Sequence, residues 1–170
     1  MAGSKSANND KGGCGLYTLD VVLFSGPVTE KFAKKNPVVS YIIEIRGDQT
    51  LEQLHKAIFK AFDRWEGHMY EFQVGGKGPQ DRKARRYTLK EDEWSGSQGT
   101  EGRVRKTTIA SLGLKKDQSF GYWFDFGDDW WHQINVVKIS ADIPQGRYPK
   151  ITNRIGQSPP QYADSDEQDQ

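Results

Sequence analysis

Two aromatic-rich segments, residues 119–126 and 130–139, are separated by Gly127-Asp128-Asp129. Both segments are rich in residues that favour strands, and a short Gly/Asp tripeptide between two such runs is typical of a β-hairpin. Large apolar side chains alternate onto both faces of this hairpin. One face must therefore be covered by a helix, by the C-terminal segment or by a partner.

A helix is predicted after Thr50, because Thr50 with Gln53 three positions later forms a capping-box pattern. Gly67 ends the helical region. Strands are predicted over residues 16–24, 38–45 and 68–74. Apolar and aromatic side chains recur at helical spacing along the predicted helix, at Leu51, Leu54, His55, Ile58 and Phe62.

The remaining segments show weaker patterns. Residues 75–106 read as a long surface loop with one short pairing segment at 87–89, and residues 107–112 fit a single helical turn. Beyond Pro144 the prolines and glycines predict an irregular wrap over the surface. The sequence therefore predicts an α+β fold: a mixed, mostly antiparallel sheet with one long helix packed on it, a β-grasp-like core and a C-terminal irregular wrap.

Length and composition predict one domain over residues 16–162, with disordered tails over 1–15 and 163–170 that lack large apolar side chains apart from Met1. A net charge of +1 argues against a surface built entirely for phosphate or membrane binding. No apolar run approaches the roughly 20 residues that span a bilayer. We expect a cytoplasmic protein with no membrane partner, in which the single cysteine, Cys14, has no internal disulfide.

Four motifs occur in order along the chain. They are TLEQLH at 50–55, HMYEF at 68–72, FGYWFDFGDDWWH at 120–132, and Tyr148-Pro149 followed by Pro159-Pro160. This arrangement resembles the plasmid pRiA4b ORF-3-like protein family. The resemblance implies the fold and a link to mobile elements, and it implies no specific activity. Gln161 and Tyr162, which follow Pro160, depart from the family pattern.

The three histidines of the chain all fall inside these motifs. If the hairpin turns at Asp128-Asp129, Asp125 lies directly opposite His132, close enough for the carboxylate to orient the imidazole as a general base or metal ligand. Asp125 and His132 are therefore the catalytic candidates. A structural role, in which they only lock the hairpin, is the alternative. The candidate ligands for a divalent metal are His68, Asp125, Asp128 and His132.

Basic residues outnumber acidic ones between 82 and 106, which predicts weak, salt-sensitive binding of nucleic acid. A solvated loop is the alternative. No glycine-rich loop suits a nucleotide, so no cofactor-binding residues are predicted. The nucleic-acid candidates are Arg82, Lys83, Arg85 and Arg86.

Three functions remain open at this point. The first is a small binding or interaction module for an unknown protein partner. The second is a metal-dependent hydrolase of the phosphate-ester type that uses the Asp/His cluster. The third is a weak nucleic-acid binder associated with mobile elements.

Overall fold

The fold is rich in β-structure and combines one eight-stranded mixed sheet with a small number of helices. A computed structural model describes residues 15–89 and 100–162. Within them the strand order is β5-β4-β3-β6-β7-β1-β2-β8, antiparallel throughout except for the parallel pair β4 and β5. The elements are β1 (Leu16–Ser25), α1 (Glu30–Lys35), β2 (Ser40–Arg46), α2 (Leu51–Ala61), β3 (Tyr70–Val74), β4 (Arg85–Thr88), β5 (Thr100–Arg103), a 3₁₀ helix (Ala110–Leu112), β6 (Ser119–Phe124), β7 (Trp130–Ser140) and β8 (Lys150–Ile155).

Helix α2 begins where the sequence predicts. Thr50 accepts a hydrogen bond from the backbone N–H of Gln53, and the Gln53 side chain accepts one from the backbone of Thr50, so the predicted capping box is confirmed. The two bonds satisfy donors that a helix N-terminus otherwise leaves free. The apolar stripe of α2 is buried in the core against one face of the sheet, through Leu51, Leu54, Ile58 and Ala61.

The predicted hairpin is present, but its turn is longer than expected. Strand β6 ends at Phe124 and β7 begins at Trp130, and the register pairs Tyr122 with His132. The prediction that Asp125 lies opposite His132 is therefore wrong. Asp125 adopts a positive φ of 60°, and its Oδ1 accepts the backbone N–H groups of Gly127 and Asp128. This side-chain turn lengthens the connection to five residues and displaces Asp125 from the strand pairing.

The hairpin's aromatic residues divide between the two faces of the sheet. Tyr122, Phe124 and Trp130 are fully buried in the core. Trp123 stacks on Trp131 at 4.7 Å between ring centroids, with the planes 7° apart, on the other face. The inner set therefore belongs to the core, whereas the outer pair, Trp123 and Trp131, is only partly covered.

Three segments differ from the predictions. The C-terminal segment is not wholly irregular, because β8 pairs with β2 at one edge of the sheet. The segment 75–106 contains β4 and β5. Helix α1, which no pattern predicted, begins after Thr29, whose hydroxyl accepts the N–H of Phe32. The predicted tails fall almost entirely outside the described residues, and no helix within the described ranges is long and apolar enough to cross a membrane.

Candidate functional site

Asp125 and His68 are brought together by the turn after β6 and the segment that leads into β3. Oδ2 of Asp125 lies 3.4 Å from Nε2 of His68. The other oxygen of Asp125 is engaged by the turn, so the carboxylate is held in place from both sides. The pair predicted from the sequence, Asp125 with His132, does not form, and Asp125 contacts His68 instead.

His132 lies elsewhere and is fully buried. Its Nδ1 is 3.1 Å from the carbonyl oxygen of Tyr122, to which it donates, and its Nε2 accepts from Nη2 of Arg64 at 2.8 Å. Burial and the positive charge of Arg64 hold the pKa of His132 well below its usual value. With both ring nitrogens engaged and the imidazole neutral, His132 has no nitrogen left for a ligand in this structure.

The four predicted metal ligands do not assemble into one group. Among residues 15–89 and 100–162, no three or more His, Cys, Asp or Glu side chains are placed to hold a metal ion. Asp128 contributes its backbone N–H to Asp125 at the hairpin turn. Of the predicted set, only His68 and Asp125 are in contact through both side chains.

His55, on α2, is oriented by two tyrosines. Its ring stacks on Tyr70 with 3.6 Å between centroids and 3° between planes, and its Nδ1 lies 2.6 Å from the hydroxyl of Tyr122. The buried Tyr122 hydroxyl has no other described partner, so donating to Nδ1 satisfies it, and the ring proton of His55 is then on Nε2. Burial, with the positive charges of Arg64 and Lys56, lowers the pKa of His55 to about 3. His55 is therefore a neutral donor.

His68 is anchored through the other ring nitrogen, Nε2. The Tyr162 hydroxyl donates its proton to Oε2 of Glu66 at 2.8 Å. The hydroxyl oxygen of Tyr162 therefore accepts the hydrogen bond from Nε2 of His68, at 2.6 Å. The proton of His68 therefore sits on Nε2, beside Asp125, and Nδ1 keeps its lone pair. No described residue forms a hydrogen bond with that Nδ1.

Both imidazoles line one open groove between α2 and the start of β3. The groove has a volume of about 550 Å³, within the range of small-ligand sites. Its apolar wall is Met69, Tyr70 and Leu89, and its polar wall adds Glu52 and Lys56. The groove thus combines an apolar surface with two imidazoles, each of which has one ring nitrogen outside the described hydrogen bonds.

A C-terminal clamp, which we define as residues 158–162, fixes the loop between α2 and β3. The buried Gln161 amide accepts from the backbone N–H groups of Trp65 and Glu66 at 2.9 and 3.1 Å and donates to the Glu66 carbonyl at 2.8 Å. Ser158 donates to the carbonyl of Ala61. Gln161 and Tyr162, the residues that depart from the family pattern, therefore hold the wall that carries His68.

Sequence reasoning missed the tyrosines and Arg64 as site residues. Tyr70 and Tyr122 are motif aromatics, and their place at alternating strand positions predicted only core packing. Tyr122 lies 67 positions from His55, and Tyr162 lies 94 positions from His68. No short-range pattern reports contacts of that separation.

The four nucleic-acid candidates lie at the turn before β4 and at its start. Nη2 of Arg85 donates to the carbonyl of Leu112 at 3.2 Å, and Nε of Arg86 lies 3.8 Å from Oε1 of Glu71. Arg82 and Lys83 flank a turn that Asp81 organises by accepting the N–H of Lys83. Two of the four side chains thus have intramolecular partners, and nucleic-acid binding stays a prediction.

The sequence profile of the plasmid pRiA4b ORF-3-like protein family matches residues 31–165. A curated relative from Sinorhizobium fredii, named uncharacterized protein y4hQ, is 25% identical over 129 residues, which are 74% of this chain and 59% of the relative. The chain therefore spans little more than half of that relative's length. The crystal structure of a protein of unknown function, MM3350 from Methanosarcina mazei Go1, matches with a TM-score of 0.65 at 20% identity, over 88% of this chain and 74% of that one. This likeness concerns the fold, and neither name states an activity.

Proposed function

Because the chain belongs to the plasmid pRiA4b ORF-3-like protein family, whose matched relatives carry no named activity, we propose a function from its own geometry. The protein is a binding module, and its ligand site is the groove lined by His55 and His68. The observation that carries this proposal is that two imidazoles line one groove, His55 anchored through Nδ1 and His68 anchored through Nε2.

The two imidazoles and the apolar wall determine which chemical groups of a ligand the groove binds. Nε2–H of His55 donates, Nδ1 of His68 accepts, and Met69 with Leu89 supplies apolar contact. A group that carries an acceptor beside a donor, such as an amide or a hydroxyl on an apolar body, satisfies both imidazoles at once. A small molecule or the side chain of a partner protein can present such a group.

The two methionines of the chain allow a direct test. Met69 lines the groove, and Met1 is far from it in sequence. With ¹³C-labelled methionine methyl groups, we expect fragments that carry a primary amide on an aromatic ring to shift the Met69 resonance and not that of Met1. Gly67→Trp, which fills an open position in the groove wall, should abolish the shift, whereas Val137→Trp on the exposed part of β7 should not. A fragment set that leaves Met69 unmoved refutes the proposal.

A hydrolase acting on phosphate esters is the second candidate, and the Asp125–His68 contact favours it. A carboxylate that holds one imidazole nitrogen leaves the other as a general base. Turnover of p-nitrophenyl phosphate with Mn²⁺, Mg²⁺ or Zn²⁺ would support this function. The turnover should be lost in His68→Gln and kept in His132→Asn. Absence of turnover with all three metals would rule out the phosphate-ester reading.

We further propose that residues 16–162 act as one domain in the cytoplasm, and that the packing of α2 on the sheet is β-grasp-like. Limited proteolysis tests the first statement, because a single domain should yield one protected core spanning β1 to the clamp.

A further inference from the structure

A cavity lies between α1 and the start of the C-terminal clamp. Its volume is about 280 Å³. Sites of roughly 300 to 1,000 Å³ take drug-sized ligands, so this cavity suits a smaller molecule built on one ring. The apolar part of its wall includes Pro27, Phe32, Pro159 and Pro160. The Pro159-Pro160 motif, which the groove between α2 and β3 does not use, therefore lines a second concave site.

Two lysines of α1, Lys31 and Lys35, line this cavity. They are four positions apart, which places them on the same face of the helix. Within the described part of the chain, neither ammonium group has an ion-pair or hydrogen-bond partner, and the cavity wall contains no Asp or Glu. Lys34, in contrast, pairs with Glu30 at 3.2 Å, and neither of these two lines the cavity. The wall thus carries two positive charges without a compensating carboxylate.

Helix α1 gains little stability from the rest of the fold. It has six residues, none of which is buried, and a helix this short is marginal without packing. Two like charges four positions apart destabilise it further. A second, smaller cavity of about 110 Å³ also lies against α1, and Phe32 lines both cavities. An anion between Lys31 and Lys35 would remove their repulsion and fill part of this loosely packed region.

Asn36 links the two sides of the larger cavity. Its Nδ2 donates to the carbonyl of Phe32 at 3.3 Å, and its Oδ1 accepts the backbone N–H of Gln157 at 2.9 Å. The amide therefore holds the end of α1 against the segment that leads to Pro159-Pro160, so the cavity is formed before any ligand binds. The two ammonium groups remain as charged donors for a ligand.

We propose that this cavity binds a small organic anion, a carboxylate on one apolar ring. The carboxylate lies between the ammonium groups of Lys31 and Lys35, where each hydrogen bond is strengthened by charge. The ring packs against Phe32 and the Pro159-Pro160 motif, which removes apolar surface from water. This site is separate from the groove lined by His55 and His68, and it does not rest on the proposed function.

Backbone ¹H–¹⁵N spectra of the full chain test the site, with benzoate as the probe at fixed ionic strength. We expect the amide signals of Phe32 and Gln157, on opposite sides of the cavity, to shift and then saturate at millimolar benzoate. Acetate has the charge without the ring, and benzyl alcohol has the ring without the charge. Both should bind more weakly than benzoate at these two amides.

A double variant tests the role of the lysines. Lys31→Gln/Lys35→Gln removes both charges and keeps polar side chains, and it should weaken benzoate binding about tenfold or more through the loss of charged hydrogen bonds. Lys34→Gln/Lys116→Gln removes two lysines that do not line the cavity and should bind benzoate as the wild type does. The proposal is overturned if the two amide signals do not saturate, if acetate or benzyl alcohol binds as tightly as benzoate, or if Lys31→Gln/Lys35→Gln keeps the affinity of the wild type.

Discussion

Oδ2 of Asp125 lies 3.4 Å from Nε2 of His68, while Oδ1 of the same carboxylate accepts two backbone N–H groups of the hairpin turn. One side chain thus joins the turn to the wall of the imidazole groove. Its positive φ suits Asp or Asn, whose short polar side chains tolerate this conformation.

Two substitutions of Asp125 separate its role as the acceptor in the hairpin turn from its role as a negative charge beside His68. Asp125→Ala should lower the free energy of unfolding by about 1 to 3 kcal/mol, because two turn N–H groups lose their acceptor. Asp125→Asn keeps an acceptor oxygen and tolerates the backbone conformation, so its cost should be clearly smaller. Urea unfolding measures both. Equal losses for the two variants would mean that the charge beside His68, and not the turn, carries the stability.

The pH dependence of stability follows from His55 and His132. In the folded state the pKa of His55 is about 3 and that of His132 lies well below 6.5. The unfolded chain takes up protons on both near pH 6.5 while the folded chain does not, so stability is full above that pH and is lost below it. The slope from these two side chains should approach about 1.4 kcal/mol per pH unit for each histidine.

Unfolding measured between pH 7.5 and 5 in wild type and His132→Asn isolates one of the two contributions. The variant should lose about half of the slope. Asn can still donate to the Tyr122 carbonyl in place of Nδ1. An unchanged slope would show that the pKa of His132 is not lowered by folding.

The C-terminal clamp should contribute measurably to stability through Gln161. Gln161→Ala leaves three backbone groups of Trp65 and Glu66 without partners, at an expected cost of about 1 to 3 kcal/mol. Gln157→Ala, four residues earlier at an exposed position, is the matched control and should be close to neutral. If the two variants unfold at the same urea concentration, the clamp does not hold the loop.

Gly121 allows the segment after β3 to lie against the outer face of the sheet. A Cβ at this position would stand 2.7 Å from Cα of Pro79 and 2.5 Å from Oε1 of Gln73. Gly121→Ala should therefore destabilise the protein by about 1 to 3 kcal/mol. Gly67→Ala, which meets nothing within 4 Å, is the control in the same thermal-unfolding measurement, and its melting temperature should match the wild type.

The local patterns in the sequence predicted α2 and the hairpin strands, missed α1 and β8, and predicted the site only in part. The capping box at Thr50 and the two hairpin strands depend on neighbouring residues, so the sequence displays them directly. The register failed because the Asp125 side chain builds a five-residue turn, which no strand pattern encodes. The partners of His55 and His68 are Tyr122 and Tyr162, far along the chain, and only the folded sheet brings them together.

In the proposed binding site, the groove presents the Nε2–H of His55 as a donor beside Nδ1 of His68 as an acceptor. Long-range ¹H–¹⁵N spectra of the histidine rings near pH 8, assigned with His55→Gln and His68→Gln, report the tautomer of each ring. We expect the proton of His55 on Nε2, that of His68 also on Nε2, and neither ring averaging between its two tautomers. A His55 proton on Nδ1, or a His68 proton on Nδ1, would refute the proposed site, because the groove would then lack either its donor or its acceptor.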